Sequence, residues 1–375
     1  MKVTDIRIHT PDANAHVLVE IVAENGSTGW GACYSQRDQI VGALGWITRF
    51  VLGQDVREIE RITETLFATT FWLGRGGAMN HAISGLNIAL WDCAGKVLGT
   101  PVATLLGGSH HRAVKAYGSI LFHPVETLEA RIAEMLARNF RAIKLGWEPF
   151  GRAGIAEDRA LVARARKAAG DGVDIMIDAG GSGPFYPGTL KRALEQSRML
   201  ADYDVRWFEE ALRPDDTEGF RRLTDASPVP ISGGEVLSGR RAFKQIIDER
   251  LLDIIQPDVA KVGGLSEMRR LAWQAWDAGI ELIPHGWNTA IGVAADLHLM
   301  ATAPSPGYVE FNVGNPMVEE IIASPFVLDE AGRIAVPDGP GLGITIDEDR
   351  VRAMAAGGYR SPSWTWDEAR TFERD

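Results

Sequence analysis

The sequence lacks most of the features that assign a class quickly. It has two cysteines, Cys33 and Cys93, in apolar or glycine-rich surroundings and without CxxC spacing. A disulfide framework and a cysteine metal site are therefore both excluded, and the pair reads as reduced core or near-core thiols. No apolar run is long enough to span a bilayer, and the opening MKVTDIRIHT has no apolar signal core and reads as a first strand. No lysine- and arginine-rich block with interleaved aromatics occurs, and the formal net charge is −11, which argues against nucleic acid as the main partner. GxGxxG, the fingerprint wanted between the first strand and helix of a doubly wound dinucleotide-binding sheet, is not placed there. These absences point to a soluble, cytoplasmic globular protein with no nucleic-acid and no membrane partner. An acidic chain can still bind an acidic substrate if the site carries its own cations.

At 375 residues, with 45% hydrophobic and 24% charged, the chain exceeds one core of ordinary size, so two domains or a barrel with an appendage are expected. In residues 1–112, HVLVEIVAENGSTGWGAC reads as a hairpin turning at Asn25-Gly26, and AISGLNIALWDCAGKVLG as an amphipathic helix ended by glycine. From about 113 the texture changes. Short β-rich runs, among them AIKLGW, VDIMIDA, VRWFEE, DIIQPD, ELIPHG and YVEFN, alternate with helical runs such as TLEARIAEMLARN. A strand-then-helix unit repeated about eight times predicts an α/β fold, a (β/α)7β TIM-like barrel over 113–325. The preceding 1–112 form an α+β capping domain, and 326–375 form a C-terminal segment returning to it.

RAIKLGW raises a sharper question, because Lys144 stands near the exit of a buried-looking strand. It is not alone. Aligning the strand-like runs by their ends gives Lys144, Asp178, Glu209, Glu235, Asp258, His285 and Glu310, and in a parallel barrel those ends open on one face. A single acid at a strand end is usually a solvated loop or helix cap; seven ionisable residues in register are not. Asp178, Glu209 and Glu235 come from adjacent units and would repel one another without a cation. With oxygen donors and no histidine or cysteine among them, they favour hard Mg²⁺. Asp258 and His285 follow consecutive strands on the opposite arc, and a carboxylate on one ring nitrogen would fix the tautomer and raise the basicity of the other. His81, His123 and His298 read as satisfied core or loop histidines.

This pattern resembles the enolase superfamily, and within it the mandelate racemase type. The resemblance covers nearly the whole chain and rests on AISGLNIALWDCAGKVLGTPVATLLGG, WFEEAL, PISGGE, IIQPDVAKVGG and PHGW in that order. It implies that Asp178, Glu209 and Glu235 bind Mg²⁺, that Asp258 and His285 form an acid/base dyad, and that Glu310 hydrogen-bonds a substrate carboxylate. To donate that bond Glu310 must stay protonated, and a neighbouring carboxylate and partial burial would push its pKa upward. Lys144 matches the first lysine of the family's Lys-x-Lys motif, a fixed cation beside the substrate carboxylate. Gly146 stands where the second lysine is expected. Racemisation between two bases then loses a partner, whereas dehydration can use His285 alone, first as base and then as acid. Lys144 taking the proton, with His285 acting only as acid, stays open. Further departures are Gly180 in place of an asparagine, Ala211 in place of a proline, and a short PDANAH stretch where the family has a mobile specificity loop.

The implied activity is elimination of the β-hydroxyl of a sugar acid to a 2-keto-3-deoxy acid, by a homo-oligomer acting on a small carboxylate substrate. Trp147, Trp287 and Asn288 follow catalytic strand ends and are expected as pocket walls. A racemase, epimerase or cycloisomerase is the alternative. A Schiff-base aldolase would also use a lone lysine but has no need of three metal-type carboxylates, and a non-catalytic binding protein has no need of the Asp258/His285 pair.

Overall fold

The computed structural model describes residues 1–183, 186, 188–304 and 307–361. The chain opens with an antiparallel sheet of β1 (Val3–His9), β2 (His16–Ala23) and β3 (Thr28–Tyr34). β2 and β3 form the expected hairpin, with Val22 opposite Thr28 and Gly26 at φ +82° in the turn. Helices α1 (Arg37–Ile47), α2 (Ile59–Thr69) and α3 (Ala78–Leu98) follow. α3 ends at Gly99, which is left-handed at φ +62°. Residues 80–95 of this helix are all buried, so it is enclosed and not merely amphipathic. The reason lies in β3: a Cβ on Gly31 would stand 1.9 Å from the Gly85 carbonyl oxygen, so glycine lets the helix backbone lie directly on the sheet.

After the short α4 (Val102–Leu105), the chain alternates strand and helix. The strands are β4 (Ala113–Leu121), β5 (Ala142–Gly146), β6 (Asp174–Asp178), β7 (Val205–Glu209), β8 (Ile231–Gly233), β9 (Ile254–Ile255), β10 (Glu281–Leu282) and β11 (Tyr308–Asn312). Between them run α5 (Leu128–Ala137), α6 (Ile155–Ala169), α7 (Leu190–Ala201), α8 (Thr217–Ala226), α9 (Arg240–Asp248), α10 (Leu265–Ala278) and α11 (Ala290–Ala301). All eight strands pair in parallel along one curled path, β10-β9-β8-β7-β6-β5-β4-β11. Among the described residues no ladder joins β11 to β10, so the sheet is a curled path and not a fully hydrogen-bonded ring. β9 and β10 are cut short as Pro257 and Pro284 follow closely and offer no N–H to a ladder.

Inside the curl, Tyr117, Ala142, Met176, Trp207, Ile254, Ile283 and Tyr308 make their own apolar cluster. Tyr117, Trp207 and Tyr308 meet edge to face at centroid separations of 5.4 to 6.2 Å. This plug gives the charged strand ends a water-poor floor. Beyond α12 (Pro316–Glu319) the C-terminal segment first adds β12 (Arg333–Ala335) antiparallel to β4, a barrel strand. It then bonds to the capping domain: Leu342 N–H donates to Asp92, Ala13 N–H to the Tyr359 carbonyl, and Ser361 N–H to Asp12. The tryptophan-bearing tail from 362 onward lies outside the described residues. α13 (Glu348–Ala356) closes the described elements. Cys33 and Cys93 are buried free thiols.

Candidate active site

The strand ends carry the ionisable residues to one place. Asp178 and Glu209 are the last residues of β6 and β7 and pair directly in register. Glu235 lies two residues beyond β8, and their carboxylates, all buried, can each offer an oxygen such that the three lie within 4.8 Å of one another. Asp178 and Glu209 are held by hydrogen-bond donors around them. Gly180 N–H donates to Asp178 Oδ1 at 2.7 Å, while Glu209 Oε2 accepts from Trp207 Nε1 at 3.0 Å and from Gln256 Nε2 at 2.7 Å. Burial and then the Glu209 charge push Asp178 well above the usual carboxylate range. Oxygen-only donors, close approach and mutual repulsion in a dry site fit a hard divalent cation, which would relieve that repulsion.

Lys144 sits in the middle of β5 with its Nζ 2.6 Å from Glu209 Oε1, 3.1 Å from Glu310 Oε1 and 3.9 Å from Asp178 Oδ2. It is therefore no solvated cap. Burial opposes its charge, but Glu209 and Glu310 outweigh burial and hold it protonated well above the ordinary lysine value. Glu310, on β11, overturns the expectation of a protonated acid. Burial would raise it, yet Lys144, His285 and the Gly286 N–H, which donates at 2.7 Å, together bring it down to about 2. It is a carboxylate paired to Lys144, able to accept hydrogen bonds and not to donate them.

His285 Nδ1 donates to Asp258 Oδ2 at 2.7 Å, and Asp258 Oδ1 accepts from Ala260 N–H at 2.7 Å. Asp258 is held below its ordinary value because His285, Lys261 and the Ala260 N–H outweigh its burial. The dyad is not across the site from the metal-type carboxylates: His285 Nε2 lies 3.2 Å from Glu235 Oε2, so Glu235 joins the two groups. Burial lowers the imidazole, but Glu235, Asp258 and Glu310 raise it further, to about 9.

The three expected pocket walls are placed differently from one another. Trp147 and Trp287 are half-buried at the strand ends, whereas Asn288 is fully buried behind the dyad. Its amide reaches Asp258 Oδ1 at 3.4 Å and its Oδ1 accepts from Thr289 N–H at 2.5 Å, which ties it to orienting Asp258. A separate cavity of about 620 Å³, lined by Trp273, Trp276, Glu281 and Arg206, opens beside the starts of β7 and β10 and shares none of these residues.

Residues 2–107 match the mandelate racemase / muconate lactonizing enzyme N-terminal domain, and residues 127–350 match the enolase C-terminal domain-like family. The chain belongs to the enolase superfamily. D-galactarolactone cycloisomerase of Agrobacterium fabrum is 34% identical to it over 382 aligned positions, covering 94% of this chain and 98% of that protein. Arabinonate dehydratase of Saccharolobus solfataricus is 32% identical, covering 88% of each. Among solved structures, the 3,6-anhydro-D-galactonate cycloisomerase from Zobellia galactanivorans matches at a TM-score of 0.87 and 30% identity, covering 94% of this chain and 99% of that one.

Several groups at this enolase-superfamily site escaped the strand-end rule. Gln256 and Trp207 orient Glu209 from inside motifs already singled out, but nothing in their spacing announces that role. Glu210, the second acid of WFEE, is buried and accepts from the Ser182 hydroxyl at 2.6 Å; burial and then the Glu235 charge raise it to about 8. Lys261 and Tyr34 approach from the loop after β9 and from the capping sheet. Lys261 was visible in DVAKVGG as a cation three residues past Asp258.

Proposed function

We propose that the protein is a Mg²⁺-dependent lyase that removes the proton alpha to the carboxylate of a sugar acid and expels the β-hydroxyl, giving a 2-keto-3-deoxy acid. The observation carrying this reading is the single base: Gly146 leaves no second lysine, and a Cβ there would already stand 3.1 Å from the Asp178 Cβ. Asp178, Glu209 and Glu235 would hold the Mg²⁺, which when bound supplies Lewis-acid stabilisation of negative charge building on the substrate carboxylate. Members of this superfamily use Mg²⁺, which supports that choice of ion.

This chain's own groups then divide the work. Lys144, a fixed cation, binds the substrate carboxylate and stabilises the charge that develops as the alpha proton leaves. His285 Nε2 takes that proton, and Asp258 on Nδ1 fixes the tautomer and stabilises the imidazolium. The electron pair left at the alpha carbon forms the enediolate and then expels the oxygen at the beta carbon, as the imidazolium hands its proton to that leaving oxygen. Water departs, and the enol at C2 tautomerises to the ketone. One histidine serving both roles requires the proton and the hydroxyl to leave from the same face.

A second reading is favoured by the cycloisomerase relatives: the leaving oxygen belongs to a lactone or anhydro ring and stays attached to the product. Its first step is the same. Screening a stereochemically complete set of sugar acids and their lactones for 2-keto acid formation, with water release scored separately, distinguishes the two. In D₂O, the His285→Asn variant should show neither alpha-hydrogen exchange nor elimination. Exchange retained without elimination would move the base to Lys144 and overturn this assignment.

A further inference from the structure

Lys261 is a second buried cation at this site, and the mechanism above leaves it unused. It is 9% exposed, and its nearest carboxylate oxygen, Glu235 Oε1, is 3.9 Å away, beyond hydrogen-bonding reach. Among the described residues its ammonium makes no hydrogen bond. Its Nζ instead lies 4.7 Å from the centroid of Tyr34, at the end of β3. A largely buried lysine whose ammonium has no hydrogen-bond acceptor in the protein is well placed to take one from a ligand. A second observation points the same way. The Nδ1 of His81, on α3, is buried with no partner, and burial and then the Lys261 charge push that imidazole down to about 4. The expectation of a satisfied histidine fails there. Among the described residues, the Lys261 ammonium and the His81 Nδ1 thus both lack a hydrogen-bond partner beside the dyad, whereas Lys144 is already paired with Glu209 and Glu310.

Lys261 does not replace the missing second lysine. It faces the Glu235 oxygen next to the one that meets His285, so it lies on the histidine's own flank. Nor is it the cation for the reacting carboxylate, which on the reading above would be bound by Lys144 and by the cation that Asp178, Glu209 and Glu235 would hold.

We propose that Lys261 receives a second carboxylate at the far end of the substrate, so that the preferred substrates are dicarboxylic sugar acids or their monolactones, with Tyr34 packed against the ammonium and His81 within reach of the same group. This rests on the elimination reading for the near end of the substrate and adds the far end.

Matched acids that differ only at the last carbon, glucarate against gluconate and galactarate against galactonate, test it. The unaltered, Mg²⁺-loaded protein should favour the dicarboxylate in kcat/KM, and a net charge-assisted hydrogen bond of ordinary strength makes the preference roughly 10- to 100-fold. Lys261→Met and Lys261→Gln should collapse that ratio. A preference for the monocarboxylates in the unaltered protein overturns the proposal without any variant. So does an equal loss on both members of each pair, which would mean that Lys261 acts on His285 or Glu235. Calorimetric binding of glucarate and gluconate to the same Mg²⁺-loaded protein separates the two readings. If no acid is turned over but glucarate still binds more tightly in a Lys261-dependent way, elimination fails and the Lys261 assignment stands; equal binding refutes Lys261.

Discussion

Replacing Lys144 with methionine is the perturbation whose consequences the structure fixes most closely. At an effective dielectric near 20, its ammonium attracts Glu209 at 2.6 Å by about 6 kcal/mol and Glu310 at 3.1 Å by about 5 kcal/mol, before the cost of taking all three groups out of water. Removing one partner of a buried pair costs about 3–5 kcal/mol, less than these sums, because what is lost is set by the uncompensated charge left behind. Methionine fills the space and leaves Glu209, Glu310 and Asp178 as unneutralised neighbours. In chelator, Lys144→Met should therefore lose about 3–5 kcal/mol in urea unfolding at neutral pH, a large part of a domain's stability. Because the Lys144 pKa is raised above its unfolded value of 10.5, its stabilisation is fully present at neutral pH and is lost only above that value. Saturating Mg²⁺ should recover part of the loss by bringing positive charge to Glu209 and Asp178, while turnover stays severely impaired. An Lys144→Met protein in chelator as stable as its parent would refute the reasoning, since the three carboxylates would then need no neutralising partner.

Glu235→Gln should abolish turnover and weaken Mg²⁺ binding by calorimetry, with the circular dichroism of the barrel unchanged; full activity in a thoroughly metal-stripped preparation would remove the metal assignment. The base must be neutral to take a proton, so kcat/KM should climb as pH rises through the His285 pKa, which in the Mg²⁺-loaded protein should stand below the metal-free value of about 9 because the cation offsets the Glu235 charge that raises it. Stability in chelator should move the other way. Its pKa lies above the unfolded 6.5, so the contribution of His285 is fully present below pH 6.5 and is lost as pH rises through about 9, a decline in unfolding midpoint that His285→Asn should flatten.

The parts of this protein written as periodicity and strand-end charge were legible in the sequence. Lys144, Asp178, Glu209, Glu235, Asp258, His285 and Glu310 meet because parallel strands deliver their C-terminal halves and following loops to one face. Asp178 and Glu209 end their strands, Lys144 and Glu310 sit within β5 and β11, and Glu235, Asp258 and His285 follow two or three residues after β8, β9 and β10. What sequence could not give is the sum of opposing effects on each charge. Glu310 was expected to stay protonated because burial and neighbouring acids raise a carboxyl; Lys144 at 3.1 Å, with the Gly286 N–H, reverses that sign. The placing of Asp258 and His285 on an opposite arc fails on strand order itself: β8, β9 and β10 are consecutive neighbours, so Glu235 stands beside the dyad and meets His285. Asn288 follows a catalytic strand end, as expected, yet its amide points to Asp258, because side-chain direction at a strand exit is set by the loop that follows.

The two glycine departures, read separately in the sequence, prove to be linked through adjacent residues. Gly146 is the residue where a side chain would press on Asp178, and the next residue, Trp147, turns into a left-handed conformation at φ +65°. That turn brings its indole over Gly180, itself at φ +66°, where a Cβ would stand 3.0 Å from the Trp147 ring. The asparagine expected at 180 and the lysine expected at 146 are thus both displaced by one arrangement, in which Trp147 takes the space above the β6 exit and Asp178 the space beside β5. An indole held against a glycine is a large, rigid surface with few conformations to lose. The space into which a second lysine would extend is thus bounded by Asp178 and the Trp147 ring, and on the reading proposed above proton removal then falls to His285.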